Sequence, residues 1–370
     1  VGFVPLADQL LNAAAVDGLA ECLAEAVPGG EFTAVRRSAS QLTELGLRER
    51  SDLVRDALLS DLPGGYDELD AIVHTALKNP GFTGWMIWPV GEAASARALE
   101  AGGGPAFDGA LALLAELTPR LTSEFGIRPL LDADLERALP AVLAWTTHPD
   151  EHVRRLASEG TRPLLPWAKR VRAIIARPES TVDILHALRH DESAYVRRSV
   201  ANHLNDISRG DPELAAAVAA EWLQGDPDAR TRRLVRHGLR TLIKKGHPRA
   251  LALLGFAPVA GVSVDGPRLD ATTVAIGDGL RFSGTLSNTG AEPARLAIDY
   301  VIHHQKANGT LSPKVFKLTT KTLAPGEELS FVRTHSFKVI TTRVYHPGEH
   351  TIELQVNGET FGKTTFGLVR

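Results

Sequence analysis

At 370 residues the chain has room for two or three domains, each with its own core. Its single cysteine, Cys22, excludes an intrachain disulfide and a thiolate zinc cluster, and no apolar run is long enough to read as a membrane helix. The net charge of −3 conceals an asymmetry: residues 1–149 hold 10 Lys and Arg against 21 Asp and Glu, residues 150–250 hold 19 against 13, and residues 251–370 hold 12 against 10.

A basic segment flanked by an acidic one and a near-neutral one predicts a single electropositive surface rather than a generally basic protein. Residues 1–60 predict helix, because apolar positions recur at three and four residues through Leu10, Leu11, Ala14, Val16, Leu19 and Leu23. Cys22 falls in this pattern as a buried structural residue. Pro28-Gly29-Gly30 and Pro63-Gly64-Gly65 break the region into helix pairs. Further helices are expected near 67–78, 91–101 and 106–118. The aromatic run Phe82-Thr83-Gly84-Trp85-Met86-Ile87-Trp88 between them reads as core. Helical character continues to about residue 255, punctuated by prolines that fit short helices and tight turns.

Within that stretch one pattern occurs three times: His148-Pro149-Asp150-Glu151-His152-Val153-Arg154-Arg155, Asp191-Glu192-Ser193-Ala194-Tyr195-Val196-Arg197-Arg198 and Asp226-Pro227-Asp228-Ala229-Arg230-Thr231-Arg232-Arg233. An acidic turn leads each time into a helix with a double arginine, which predicts a helical solenoid of the HEAT type. Four residues beyond the second arginine, on the same helix face, stand Glu159, Asn202 and His237, while Leu156, Val200 and Leu234 can pack inward. The predicted face therefore carries Arg155, Glu159, Arg198, Asn202, Arg233 and His237, with Arg162, Lys169, Arg170, Arg172 and Arg177 adding charge nearby. Such a row suits a polyanion. About half of these arginines, one of each pair, are expected to lock neighbouring repeats instead. Glu159 has two readings, an ion pair with Arg155 or Arg162, or a carboxylate that stabilises a sugar cation or aligns water. Trp167 is either solenoid core or an apolar wall against sugar or base.

From about residue 259 the texture changes to short alternating strands, at 262–264, 280–286, 297–302, 315–318, 329–332, 350–356 and 364–369. Turn signals at Asn288-Thr289-Gly290, Pro325-Gly326, Pro347-Gly348 and Asn357-Gly358 separate them. This predicts an immunoglobulin-like sandwich without the cysteine pair of antibody domains. The expected organisation is a helical HEAT-like repeat domain over 1–257 followed by the all-β sandwich over 258–370. His303, His304, Lys306, Lys314, Lys317 and Lys321 gather around one hairpin and are expected to touch the same polyanion. A clamp of two domains is one way to bend or encircle it.

The motifs themselves bring in a family. Thr122-Ser123-Glu124-Phe125-Gly126-Ile127-Arg128-Pro129, the run His152–Ala168, the run Tyr195–Ile207, His237–Gly246 and Trp88-Pro89-Val90-Gly91-Glu92 together resemble the AlkC branch of bacterial DNA alkylation-repair glycosylases, across roughly residues 5–256. The resemblance implies a HEAT-like solenoid that cradles double-stranded DNA and releases N3-alkylated bases, chiefly 3-methyladenine and 3-methylcytosine, without flipping the lesion. Some members carry a C-terminal immunoglobulin-like domain. It also implies Glu159 as the main catalytic carboxylate, with Glu124 and Asp206 as further candidates, and Trp167 against the lesion nucleotide or its sugar. Arg154, Arg155, Arg162, Arg197 and Arg198 would grip phosphates, and Lys306 and Lys314 would extend the DNA contact. An alkylated base is already cationic, so no general acid is required. No cofactor, metal or obligate protein partner is expected, and the chain reads as a soluble monomer of the bacterial cytoplasm. The competing reading is a non-enzymatic HEAT-repeat scaffold for DNA or a protein. Such a scaffold should carry apolar or mixed residues where this chain has paired arginines.

Overall fold

The computed structural model describes residues 6–256, 258–340 and 343–370. Helices occupy the first two thirds of the chain. They are α1 (Leu6–Leu10), α2 (Ala13–Ala26), α3 (Thr33–Ala39), α4 (Leu47–Asp61), α5 (Tyr66–Ala76), α6 (Ile87–Ala101), α7 (Gly104–Leu117), α8 (Ile127–Ala133), α9 (Leu135–Ala144), α10 (Glu151–Gly160), α11 (Arg172–Ala176), α12 (Val182–Leu188), α13 (Ala194–Gly210), α14 (Pro212–Trp222), α15 (Ala229–Gly238), α16 (Arg240–Lys244) and α17 (Pro248–Leu253). Among the described residues no helix is long and apolar enough to cross a membrane. The chain divides into two compact units, residues 1–218 with 226–238, and residues 219–225 with 239–370.

The helical unit follows the expected punctuation, with one difference. The helix expected near 91–101 begins at Ile87, so Trp88-Pro89-Val90-Gly91 lies inside α6. Proline is tolerated there because the N–H it lacks falls in the first turn, where no intrahelical acceptor exists. Trp88 is 3 % exposed and Cys22 6 %, both in the interior as their patterns imply.

The three double-arginine motifs open α10, α13 and α15, which lie side by side in that order. Their acidic or hydroxyl openings are helix caps. The Asp150 carboxylate accepts from the His152 amide at 2.7 Å, Ser193 Oγ from Tyr195 at 3.2 Å and Asp228 from Thr231 at 2.7 Å. Leu156, Val200 and Leu234 turn inward. The first arginine of each pair turns back on its own entry turn. Arg154 donates to the carbonyls of His148 and Pro149, Arg197 to those of Asp191 and Glu192, and Arg232 to that of Pro227. Arg154 also reaches the next repeat, where Nε lies 2.7 Å from an Asp191 carboxylate oxygen that is almost wholly buried.

The second unit carries the strands β1 (Val262–Leu269), β2 (Thr273–Ala275), β3 (Gly279–Asn288), β4 (Ala294–Gln305), β5 (Leu311–Leu323), β6 (Glu328–Ser336), β7 (Gly348–Val356) and β8 (Glu359–Val369). They form a three-stranded sheet in the order β1-β3-β6 and a five-stranded sheet in the order β2-β8-β7-β4-β5. Phe282 of the first sheet packs with Tyr300, Ile302, Ile352, Leu354 and Phe366 of the second, the aligned-sandwich arrangement. All seven expected strands are present. The eighth, β2, is three residues long and pairs in parallel with β8, too short to show a period in sequence. Asn357 and Gly358 both have positive φ (44° and 89°), which gives the tight β7–β8 turn that an Asn-Gly pair favours.

Arg154→Ala would strand a buried carboxylate and two carbonyls at once. The expected loss is about 2–3 kcal/mol of unfolding free energy. Arg232→Ala, whose partners are exposed, should cost well under half of that. Urea denaturation followed by tryptophan fluorescence checks the ordering.

Candidate active site

The expected carboxylates meet in one seam of the helical unit. Glu124 sits in the turn between α7 and α8, Glu159 near the end of α10 and Asp206 in the second half of α13. Two arginines alternate with them. Arg155 Nη1 donates to Glu124 Oε2 at 2.5 Å, and its Nη2 lies 3.3 Å from Glu159 Oε1. Arg162 Nη1 donates to the same Glu159 oxygen at 2.6 Å, and its Nε to Asp206 Oδ2 at 2.8 Å. Ser199 Oγ donates to the other Glu159 oxygen at 2.6 Å and lies 3.0 Å from Ser158 Oγ. The Tyr195 ring stacks against Arg155, with the guanidinium carbon 5.0 Å from its centroid. The pairing alternative for Glu159 therefore holds with both arginines, in a chain running Glu124–Arg155–Glu159–Arg162–Asp206.

Three carboxylates share two guanidinium groups by direct contact, and the buried Arg128 guanidinium stands near Arg162 and Asp206. The seam is close to dry, with Glu159 5 % exposed, Asp206 4 % and Glu124 9 %. Glu159 thus lies just beneath the surface, and Glu124 with Arg155 forms the outer edge. Burial raises the Glu124 carboxyl above the usual carboxylate range. Arg155 lowers it and Glu159 raises it further, while hydrogen bonds from Thr122 and Arg155 pull it down. Burial works against the charge of Arg155, but Glu124 and Glu159 more than offset this and its affinity for the proton rises. Burial likewise opposes the charge of Arg162, and Asp206 and Glu159 reverse the sign.

The turn holding Glu124 is fixed from α6. Phe125 stacks on Trp88 with centroids 4.0 Å apart, Ser95 Oγ donates to the Gly126 carbonyl at 2.7 Å, and a Cβ at Gly126 would lie a tight 3.0 Å from the Gly91 carbonyl carbon. This is the structural use of the Trp88–Glu92 motif. Beneath α10 and α13, His203 Nδ1 donates to the Ser158 carbonyl at 2.9 Å and Nε2 lies 3.0 Å from Thr181 Oγ1. Complete burial pushes this imidazole down to about 3, so it is neutral.

The expected cation row separates into two groups. Arg154, Arg155, Arg162 and Arg197 are held by partners inside the protein. The role of Arg154 in particular is that of a repeat lock, because its donors are taken by Asp191 and two carbonyls. Arg198 and Arg233 are exposed and, among the described residues, have no ion pair. With Arg197, Arg230 and His237 they line a groove of about 360 Å³ between α13 and α15. His237 Nε2 lies 3.1 Å from Asn202 Oδ1, so the predicted Asn202–His237 face exists. Arg230 was not picked out from sequence. It stands three residues before Arg233, the spacing that puts two side chains on one helix face. Lys169 and Arg170 are exposed in the loop after α10. In that loop Trp167 is 59 % exposed at a positive φ of 62°, which rules out the core alternative. In the second unit Lys306 and Lys314 are exposed at the β4–β5 hairpin. His304 instead packs among Phe316, Phe337 and Tyr345, and burial pushes it down to about 3.

Stacked repeats that present arginines beside a buried carboxylate seam, followed by a β-sandwich, match the class of DNA alkylation repair enzymes. The model of the DNA alkylation repair enzyme family matches residues 122–242, and that of the C-terminal Ig-like domain of the uncharacterised protein YhaZ matches residues 263–370. The uncharacterised protein YhaZ of Bacillus subtilis is 38 % identical over 317 residues, 85 % of each chain. The alkylpurine DNA glycosylase AlkC of Pseudomonas fluorescens, bound to DNA containing an abasic site analog, superposes with a TM-score of 0.84 at 32 % identity, over 99 % of this chain and 100 % of that one. The chain belongs to the AlkC-like family of DNA alkylation repair glycosylases.

His203 yields a test of the seam's support. Its ordinary pKa near 6.5 applies in the unfolded chain, and its folded value is about 3. As pH falls through that window the unfolded state binds the proton first, so stability present above pH 6.5 is lost toward pH 3. His203→Gln should flatten the fall of the urea midpoint between pH 6.5 and pH 4. Parallel curves for the two proteins would contradict the assignment.

Proposed function

We propose that this protein is a monofunctional DNA glycosylase that releases cationic N3-alkylated bases, 3-methyladenine and 3-methylcytosine, from duplex DNA. The observation that carries the reading is the alternating Glu124–Arg155–Glu159–Arg162–Asp206 chain, three buried carboxylates in one seam. A neutral leaving base needs a proton; a cationic one does not. What remains is to stabilise the positive charge that develops at the anomeric carbon and to admit water. A unit negative charge about 6 Å from that carbon is worth about 3 kcal/mol at an effective dielectric of 20, roughly a hundredfold in rate. Glu159, at the centre of the seam, is the proposed main source, with Glu124 and Asp206 sharing the field. Trp167, exposed and held at a costly backbone angle, supplies a face for the lesion nucleotide. Arg198, Arg230, Arg233 and His237 take phosphates, with Lys169 and Arg170 beyond them and Lys306 and Lys314 as contacts from the sandwich.

The scaffold reading fits less well, since a protein-docking face has no need of three buried carboxylates sharing two arginines. The relative bound to DNA containing an abasic site analog supports the glycosylase reading, because an abasic site is what base release leaves behind.

Release of radiolabelled methylbases from alkylated duplex by the purified protein is the direct test. Glu159→Gln should slow single-turnover release of 3-methyladenine at least about a hundredfold, with duplex affinity unchanged or higher. Release at the wild-type rate would remove Glu159 from the mechanism. Arg198→Ala combined with Arg233→Ala should weaken binding to any sequence and lower the slope of log affinity against log salt by about 2. An unchanged slope would take the groove out of the DNA interface.

A further inference from the structure

We infer that Arg128 is a positioning residue that sets the loop bearing Trp167 against the carboxylate seam, an inference that rests on the glycosylase reading. Arg128 lies in the first turn of α8 and is 2 % exposed, one of the largest wholly buried side chains among the described residues. Among the described residues no carboxylate makes an ion pair with it. Its Nη1 donates to the carbonyls of Gly160 (3.0 Å) and Arg162 (2.7 Å), and its Nε to that of Lys169 (2.9 Å). Nη2 has no partner among the described residues. A guanidinium without a direct ion pair is costly to bury, and burial does lower its affinity for the proton, with Asp132 and Asp206 offsetting this only in part. Nearby Arg170 and Arg162 lower it further.

The three carbonyls explain why the cost is tolerated. Gly160 and Arg162 are where α10 ends, and Lys169 is two residues past Trp167. One rigid fork therefore ties both ends of the loop to α8. A second pin stands on the same helix, where the Asp132 carboxylate accepts from the Arg172 amide at 3.2 Å. Between the pins Trp167 keeps its left-handed backbone and its exposed indole. Such strain persists only where the surroundings over-determine it. The same fork holds the backbone of Arg162, whose side chain joins Glu159 to Asp206. Arg128 thus fixes the spacing between the aromatic wall and the carboxylates.

Lysine at position 128 keeps the charge but cannot span three carbonyls. In the full-length protein, Arg128→Lys should retain a cooperative melting transition. Trypsin cleavage after Lys169 and Arg170 should accelerate about tenfold. At saturating alkylated duplex it should lower the release rate about tenfold with little change in affinity. In a Trp167→Ala background the same substitution should cost only about threefold, because the route through Trp167 is gone and only the hold on the Arg162 backbone remains. Cleavage at the wild-type rate, or a loss that multiplies undiminished in the Trp167→Ala background, would overturn the inference. If Arg128→Lys does not fold, Asp132→Ala releases the exposed second pin, and about threefold faster loop cleavage is expected; an unchanged rate counts against the inference just as firmly. Failure of the wild-type protein to release any base would indict the glycosylase reading, while the cleavage measurements decide the positioning role independently.

Discussion

Three carboxylates and two guanidinium groups share a seam from which water is nearly excluded, and much of the helical unit is arranged to make that bearable. Any one of these charges, buried alone, would cost several kcal/mol. In the order found, every carboxylate touches a guanidinium, and the central Glu159 touches two and a serine hydroxyl besides. The partners come from different elements: the 122–126 turn, the end of α10, the loop beyond it and α13. The repeat register must therefore hold before the charges can be satisfied. Trp88 under Phe125, His203 under Ser158 and Arg128 across the loop each hold one of those elements in place. In the proposed reaction the carboxylates are what such a seam offers to a developing cation, and its dryness increases what each charge is worth.

The double arginine divides its labour. Its first member is structural in all three repeats, closing the entry turn on the preceding carbonyls and, at Arg154, locking one repeat to the next through Asp191. The second member changes task along the array. Arg155 is drawn into the carboxylate seam, whereas Arg198 and Arg233 remain exposed in the groove between α13 and α15. The difference follows from the residue four positions on. Glu159 captures the arginine of its own helix, while Asn202 and His237 carry no fixed negative charge to do so. A repeated motif has in this way been specialised into an end rich in carboxylates and an end of exposed arginines.

Much of this organisation is written in short-range pattern. The helical repeats, the capped entry turns, the sandwich strands and the Asn-Gly turn all follow from periodicity and local turn chemistry, which act over a few residues. The carboxylates of the seam were also nameable, because Glu124, Glu159 and Asp206 lie in long distinctive motifs. Arg128 lay in one of the same motifs and still gave no sign of its role, because a guanidinium that binds three backbone carbonyls leaves no signature in side-chain types.

The sequence by itself determined the order of the two architectures, the number of arginine repeats and the residue types available for chemistry, since each rests on neighbours within one or two helical turns. Only the tertiary structure decided which charges are neutralised and which are free. Residues 124, 155, 162 and 206 come into contact across separations of about thirty to forty-five positions, and helix packing, together with the residue one turn on, sets whether a given arginine meets a carboxylate or open solvent. The same is true of Trp167. Its composition fits a core as well as a surface, and it is the pinned, left-handed loop that turns the indole outward.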